Sequence, residues 1–371
     1  MTALGNQRGT ALVAALSISM ILLPLGALVA LQCRTDLSIQ HNLRSDIETF
    51  YIAEAGLAHA VAEIPPGSSF EQLLAGPDHI TGTGDDGTFP FVEGPPAAFP
   101  SPPFRYDVRV EPNGGTMLRI VSRASGANGS AKVVETLVTR SPLPFTPAAL
   151  YAETTSTNVS LGGNFRLSGI DHQVGFPPVP QTNPTAPVPA LSTPRADAEL
   201  PLRTDLSGAA PGQVSGAGAA PSVATVARLD VGSYASSLAN APAATVHSAA
   251  PVDDATWGTR QSPQLSIVAG DLHVSGRLTG SGVLVVKGSF QVDGTVEFSG
   301  LVVVLGAIVF DSTSTVTLLG TLWQAASQDE RLELRGSGAV AYSSDALSDP
   351  DRTFPGLLPH GIVVAGWQEE L

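Results

Sequence analysis

Charge is scarce in this chain: 14% of its 371 residues are Asp, Glu, Lys or Arg, and acids outnumber bases 33 to 19, for a formal net charge of -14. A protein that grips a nucleic-acid backbone or an anionic surface needs a concentrated positive field, so no nucleic-acid partner is expected. Cysteine is nearly absent. The single Cys33 excludes an internal disulfide and a thiolate cluster for a metal. It follows an apolar run, where a lipoprotein signal places its cysteine, but Gln32 occupies the position that such a signal gives to a small residue. Also missing are a nucleophile beside a base, a glycine loop shaped for phosphate and a cluster of ligand side chains. The nearest candidates, Asp78-His79, Asp171-His172 and Asp253-Asp254, all lie in loop composition. Thr83-Gly84-Asp85-Asp86-Gly87 offers oxygen donors but too few acids for a calcium loop, and reads as a solvated turn. No catalytic residue, metal or cofactor is expected, and the chain is not expected to be an enzyme.

What is present begins with an anchor. Residues 10–31 carry no charge and consist mainly of Ala, Leu, Val and Ile. At about 1.5 Å per residue, a helix of that length matches the roughly 30 Å of a bilayer core. A helix is required there because lipid offers backbone amides no partner, and Ser17 and Ser19 can bond back to the preceding turn. Pro24 and Gly26 predict a kink. Arg8 favours a cytoplasmic amino terminus and Arg34 opposes it; a cleavable signal is the competing reading, against which the run is long and no small-x-small site closes it. Beyond the anchor, Leu43, Ile47, Phe50, Glu54, Leu57, Val61 and Ile64 recur at steps of three and four, predicting that the helix continues with an amphipathic half until Pro65 and Pro66.

Gln7-Arg8-Gly9 before the apolar run, Ala11-Leu12-Val13 opening it and Tyr51-Ile52-Ala53-Glu54-Ala55-Gly56-Leu57 at the far end resemble the amino-terminal region of PilX-type minor pilins of type IV pilus systems. The resemblance covers about the first 65 residues. It implies cleavage by a prepilin peptidase after Gly9, leaving Thr10 as the mature terminus, and a helix, with Ala14 and Glu54 on it, that packs with other pilins and minor pilins. Major pilins carry a glutamate at the fifth mature position that pairs with a neighbour's terminal amine. Ala14 stands there in this chain, which fits a tip or priming subunit better than a repeated interior one, because an unpaired amine in an apolar core is costly. The implied location is the cytoplasmic (inner) membrane, single-pass, with the bulk of the chain periplasmic or extracellular.

The Gly- and Pro-rich stretch 65–103 precedes predicted strands at 105–110, 116–123 and 132–139. Pro112-Asn113-Gly114-Gly115 and Gly126-Ala127-Asn128-Gly129 lie between them, as in an antiparallel meander. A helix followed by such a sheet suits a pilin-like head and, equally, generic α+β packing. Residues 173–262 are rich in Pro, Ala, Ser, Thr and Gly, with one short helix expected over 233–239, and read as a partly flexible surface insertion.

The clearest internal signal is glycine at 270, 276, 282, 288, 294, 300 and 306. The alternating pairs Leu272/Val274, Phe290/Val292, Val296/Phe298 and Val302/Val304 lie between these glycines, with Val316/Leu318 and Leu322 as a further rung. Short strands with glycine at the corners predict a parallel β-solenoid, and 148–170 is expected to add rungs. Gly280–Val286, Gly300–Val304 and Ala341–Leu347 resemble PilX-like proteins in which a solenoid follows the pilin head. Hexapeptide acyltransferases share the repeat, but only His273 could serve as their base and it has no evident orienting partner. Pro350 and Pro355 read as a cap on a solenoid edge.

The expected fold is mainly β with a long amino-terminal α-helix: a pilin-like α+β head followed by a parallel β-solenoid. The segments are a leader over 1–9, a transmembrane and stalk helix over 10–64, a head over 65–142, first rungs over 143–172, the insertion over 173–262, the solenoid over 263–347 and a tail over 348–371. The expected role is that of a minor-pilin-like subunit in pilus assembly or a tip complex, with pilins, the inner membrane and prepilin peptidase as partners. The alternatives are a type II secretion pseudopilin and a membrane-tethered, bactofilin-like scaffold polymer.

Overall fold

The computed structural model describes residues 7–64, 70–78, 80–89, 105–114, 117–153, 159–325 and 331–370. It has a long amino-terminal helix followed by a mainly β chain built around a parallel β-solenoid. Two compact units divide it: Met1–Ile64 with Ser69–Thr139 and Val364–Leu371, and Pro65–Ser68 with Arg140–Val363.

In the first unit one helix, Gln7–Glu63, runs unbroken through Pro24. Ser19 and Ser38 donate to the carbonyls of Ala15 and Arg34 at 2.9 Å, the back-bonding that lets a hydroxyl sit in an apolar helix. Strands Arg105–Pro112, Met117–Ser125 and Ala131–Pro144 pair antiparallel in sequence order. The segment read over 348–371 as a tail contains the end of a second-unit helix, Ser344–Thr353, and then a fourth strand, His360–Glu370, beside Ala131–Pro144 at the sheet's edge. Its apolar Ile362-Val363-Val364-Ala365 is too short for periodicity to separate strand from loop.

The helix face that meets this sheet differs from the stripe predicted by the large apolar residues. Ser45, Thr49, Ile52, Ala53, Gly56, Leu57, Ala60 and Ile64 are buried, while Leu43, Ile47 and Glu54 are exposed and Phe50 half-buried. Close approach selects small residues: a Cβ on Gly56 would lie 2.6 Å from Ser122 Oγ and 2.8 Å from the Tyr106 ring. Thr49 Oγ1 and Ser130 Oγ share a hydrogen bond of 2.6 Å, and Ser45 Oγ donates to the Ala127 carbonyl at 2.8 Å. Hydrogen-bonded hydroxyls replace the aliphatic contact that a periodicity search looks for.

The second unit is a three-sided coil. Leu272 pairs with Phe290, Arg277 with Thr295 and Gly282 with Gly300, all parallel, so one turn takes 18 residues and the six-residue spacing marks its corners. Inward side chains stack on their counterparts, as Phe290 on Ile308 and Val292 on Phe310, and the rings also meet diagonally: Phe290 and Phe310 have centroids 5.5 Å apart, and Phe310 and Phe165 5.7 Å. All three rings are fully buried, and each contributes about 1.5–3 kcal/mol of burial.

The stacking order departs from the chain order. The last rung, Leu332–Leu334 with Ser337–Ala341, lies against Val159–Leu161 and Asn164–Ser168, while Thr315–Gln324 pairs with Leu150–Ala152. The coil that leaves at Ala341 is therefore continued by the strands that enter at Leu150. Residues 173–262, expected as a partly flexible surface insertion with one short helix, instead supply strands and two helices that join the coil. Leu191–Thr193, Val214–Ser215 and Val223–Thr225 extend the stack at one end, and Ala244–His247 and Val252–Trp257 extend it at the other. Leu191, Leu202, Leu206, Val223, Val231 and Leu238 join the core. Composition misled here because a rung's small outward residues look like low complexity, and its two or three inward ones suffice once neighbours stack.

Candidate assembly surface

The helix supplies an apolar surface that no described residue covers. From Leu12 to Leu31 every side chain is exposed, and the helix over Leu12–Glu63 is long and apolar enough to cross a membrane. Beyond it, Ile39, Leu43, Ile47 and Tyr51 form one i, i+4 row, and all are exposed. The helix thus has two working faces: a small-residue face closed against its own sheet, and an apolar row left outside. Phe50 links them, its ring 5.8 Å from Tyr51 and 6.1 Å from Trp367.

Polar groups flank the row. Arg44 Nε pairs with Glu48 at 2.8 Å, and Lys132 Nζ bridges Asp46 and Glu369 at 3.1 Å each, which raises its pKa through these two hydrogen bonds. Ala14 and Glu54 are exposed on the helix. Gly9 and Thr10 lie in its first turns by backbone. Gly9, Thr10 and Ala14 share the helix's first turns, and Glu54 lies near its other end, so the structure does not bring Glu54 to the other three.

Other sequence candidates resolve into local structure. Thr83 Oγ1 donates to Asp85 at 2.6 Å, which lowers the Asp85 pKa, and Asp86 accepts from the Gly82 amide at 2.8 Å, so this turn satisfies its own carboxylates. His79 and the Gly115 end of the first turn lie outside the described residues. No group of three or more His, Cys, Asp or Glu able to hold a metal occurs among the described residues. His273 does have an orienting partner, contrary to expectation: its Nε2 lies 2.6 Å from Asp293 Oδ2 on the next rung, both half-exposed. The parallel register brings together residues 20 apart, a distance that sequence spacing alone does not reveal.

Asp171 and His172 are buried rather than solvated. Asp171 accepts from the Thr185 amide at 2.9 Å and hydroxyl at 2.8 Å, and from the Ser344 amide at 2.9 Å and hydroxyl at 2.8 Å. Four donors satisfy a carboxylate that has left water, and this pins the chain around 171–188 to the start of helix Ser344–Thr353. Pro350 is buried in that helix, which packs along strands Leu272–Val286, Thr295–Val304 and Thr315–Gln324; it covers a side of the coil and does not cap an edge.

The edges are blunted by other means. At one end the Arg203 guanidinium donates to the carbonyls of Ala219 and Pro221, at 3.3 and 3.4 Å, and to that of Val223. At the other, Val252–Trp257 carries Asp253 and Asp254, both exposed. Charge on an edge strand opposes pairing with another chain.

No protein-family model matches the chain, and neither does any curated protein. Among solved structures it matches the competence-associated pilin ComZ from Thermus thermophilus, with 12% identity and a TM-score of 0.28 over 88% of this chain and 98% of that one.

Proposed function

We propose that this chain is a minor-pilin-like subunit: its stem helix crosses the inner membrane and docks with other pilin helices, and its β units are displayed outside. The observation that carries this reading is the division of labour on one continuous helix. A small-residue face is spent on the chain's own sheet, while residues 12–31 and the Ile39-Leu43-Ile47-Tyr51 row are left uncovered. An apolar surface of that length in water is unfavourable, so lipid below and neighbouring helices above are its natural cover. Prepilin peptidase is the processing partner in this reading, acting between Gly9 and Thr10. The resemblance of Gln7-Arg8-Gly9 and of 51–57 to PilX-type pilins points the same way. Ala14 in place of a carboxylate supports a tip or priming position. The function is assembly and contact rather than catalysis. A scaffold polymer built by stacking solenoids end to end is disfavoured by Arg203 at one edge and Asp253 and Asp254 at the other.

The test is the amino-terminal mass of the protein purified from its host's membranes, together with deletion of residues 10–31. A mature chain starting at Thr10 and loss of fibres on deletion are expected. A chain starting at Met1 or Thr2, or normal fibres from the deletion, overturns the proposal.

A further inference from the structure

The solenoid carries a groove that its structural role does not account for. It has a volume of about 560 Å³, and its floor is the outward face of strands Thr315–Gln324, Ser337–Ala341 and Asn164–Ser168. Successive rungs place Glu297, Thr317, Ala339 and Arg166 in one outward column, and Thr315, Ser337 and Asn164 in the next. Pro177, Pro178 and Pro180 form a wall.

Three observations point to a ligand. The first is Arg166. It is exposed and has no carboxylate partner among the described residues, whereas Arg277, Arg331 and Arg335 on nearby rungs are paired with Glu297 or Glu333. Its column neighbours are neutral for two strands, and Glu297 stands three strand spacings away, about 14 Å, beyond the roughly 8–10 Å over which salt screens a surface charge. A chain of net charge -14 thus keeps one unneutralised guanidinium in a concave site. The second is the floor, made of hydroxyl, amide and small groups: Thr315, Thr317, Asn164 and Ser168 around Gly338 and Ala339. The strands there are already paired on both sides, so the floor has no free backbone edge for an added peptide strand. The third is the wall's rigidity. Asp171, 1% exposed, holds the segment through Thr185 and Ser344, and its carbonyl accepts from the Gln181 amide at 2.9 Å. A wall held this way loses little entropy when a ligand arrives.

We propose that this groove binds an extended acidic polysaccharide, with Arg166 taking a uronate carboxylate and Thr315, Thr317 and Asn164 taking hydroxyls. One guanidinium suits a ligand gripped at a single carboxylate, with its other contacts made through hydroxyls to the Thr, Ser and Asn floor. Single-stranded DNA has no free sugar hydroxyl within the chain for that floor, and its affinity rests on several cations that the groove does not supply. Neighbouring strands about 4.8 Å apart set Thr315, Ser337 and Asn164 at close to the length of one sugar residue, so successive sugars each meet a polar group. The inference goes beyond the assembly role and does not depend on it, because binding is read on the unassembled chain.

The experiment is calorimetric titration of the full-length protein in detergent with galacturonate and mannuronate oligomers, with neutral glucose oligomers and single-stranded DNA as comparators. Saturable binding of a uronate oligomer is expected, with neutral oligomers at least about tenfold weaker. Arg166→Gln should weaken uronate binding about tenfold or more, and Arg166→Lys less, because the lost contact is a charge-assisted pair. Ala339→Tyr, which fills the floor where Ala339 is 8% exposed, should abolish binding at some cost in stability, while the two Arg166 variants, at an exposed position, should unfold at the wild-type temperature. Failure of both uronates to bind overturns the proposal. So does equal binding of neutral oligomers, binding of DNA in preference to the uronates, or uronate binding that Arg166→Gln and Ala339→Tyr leave unchanged.

Discussion

Gly282, Gly300 and Gly320 stack in register at one corner of the coil, each with φ between +124° and +131°. That backbone region is close to glycine-only, and a Cβ on Gly300 would fall 1.9 Å from the Gly282 carbonyl oxygen. Gly300→Ala should therefore cost about 3–5 kcal/mol in a denaturant titration, combining local strain with displacement of a neighbouring rung. Gly114 is the control, with φ +79° and open space around its Cβ position, so Gly114→Ala should cost only about 1–2 kcal/mol. The six-step spacing made Gly282 and Gly300 readable. Gly320 falls outside that register because the turn before Thr315 lengthens the coil to 20 residues, and only the ladder restores its equivalence. Gly56 carries no such signal, since its reason is the Tyr106 ring across the helix–sheet contact.

Among the elements, the short helix expected over 233–239 is observed as Val231–Ala239, and Asp230 caps it by accepting from the Ser233 amide at 3.0 Å. That backbone donor is the main cause of the lowered Asp230 pKa. A carboxylate depressed on folding adds stability above its unfolded pKa and loses it as pH falls through the folded value. Asp230→Ala should cost about 1 kcal/mol at neutral pH. Unfolding measured across a pH series should show the gap between wild type and variant constant above about pH 4 and closing below it. Element existence was legible here and in the stem, while the stem's buried face was not. Periodicity finds the large apolar residues, and Leu43 and Ile47 point away from the sheet because Ser45, Ala53 and Gly56 permit its close approach.

At the scale of the molecule, the segment 173–262 decides whether the coil has ends. Replacing it with a short flexible linker would leave a coil intact if it were a passive insertion. The structure predicts instead that the cooperative unfolding transition is lost and the product aggregates. The deletion removes Leu191–Thr193, Val214–Ser215 and Val223–Thr225 at one end and Ala244–His247 and Val252–Trp257 at the other, baring Leu265, Ile267, Val274, Leu278, Leu150 and Leu167. A wild-type-like transition in thermal unfolding would contradict this topology.

The sequence by itself determined the elements whose causes are local or repeated: an uncharged apolar run that forms a helix long enough to cross a bilayer, turns that punctuate a meander, and glycines every six residues that become corners. Tertiary structure alone decided the order of the rungs, the face of the stem that is spent, the return of the chain's last strand to the first unit's sheet, and the burial of Asp171. The physical reason is common to all four. A parallel ladder accepts any strand with the right inward residues, wherever it falls in the chain, and a buried polar contact depends on partners that spacing does not encode. Asp171 and Ser344 meet across 173 residues, and Ala341 gives way to Leu150 along one continuous coil.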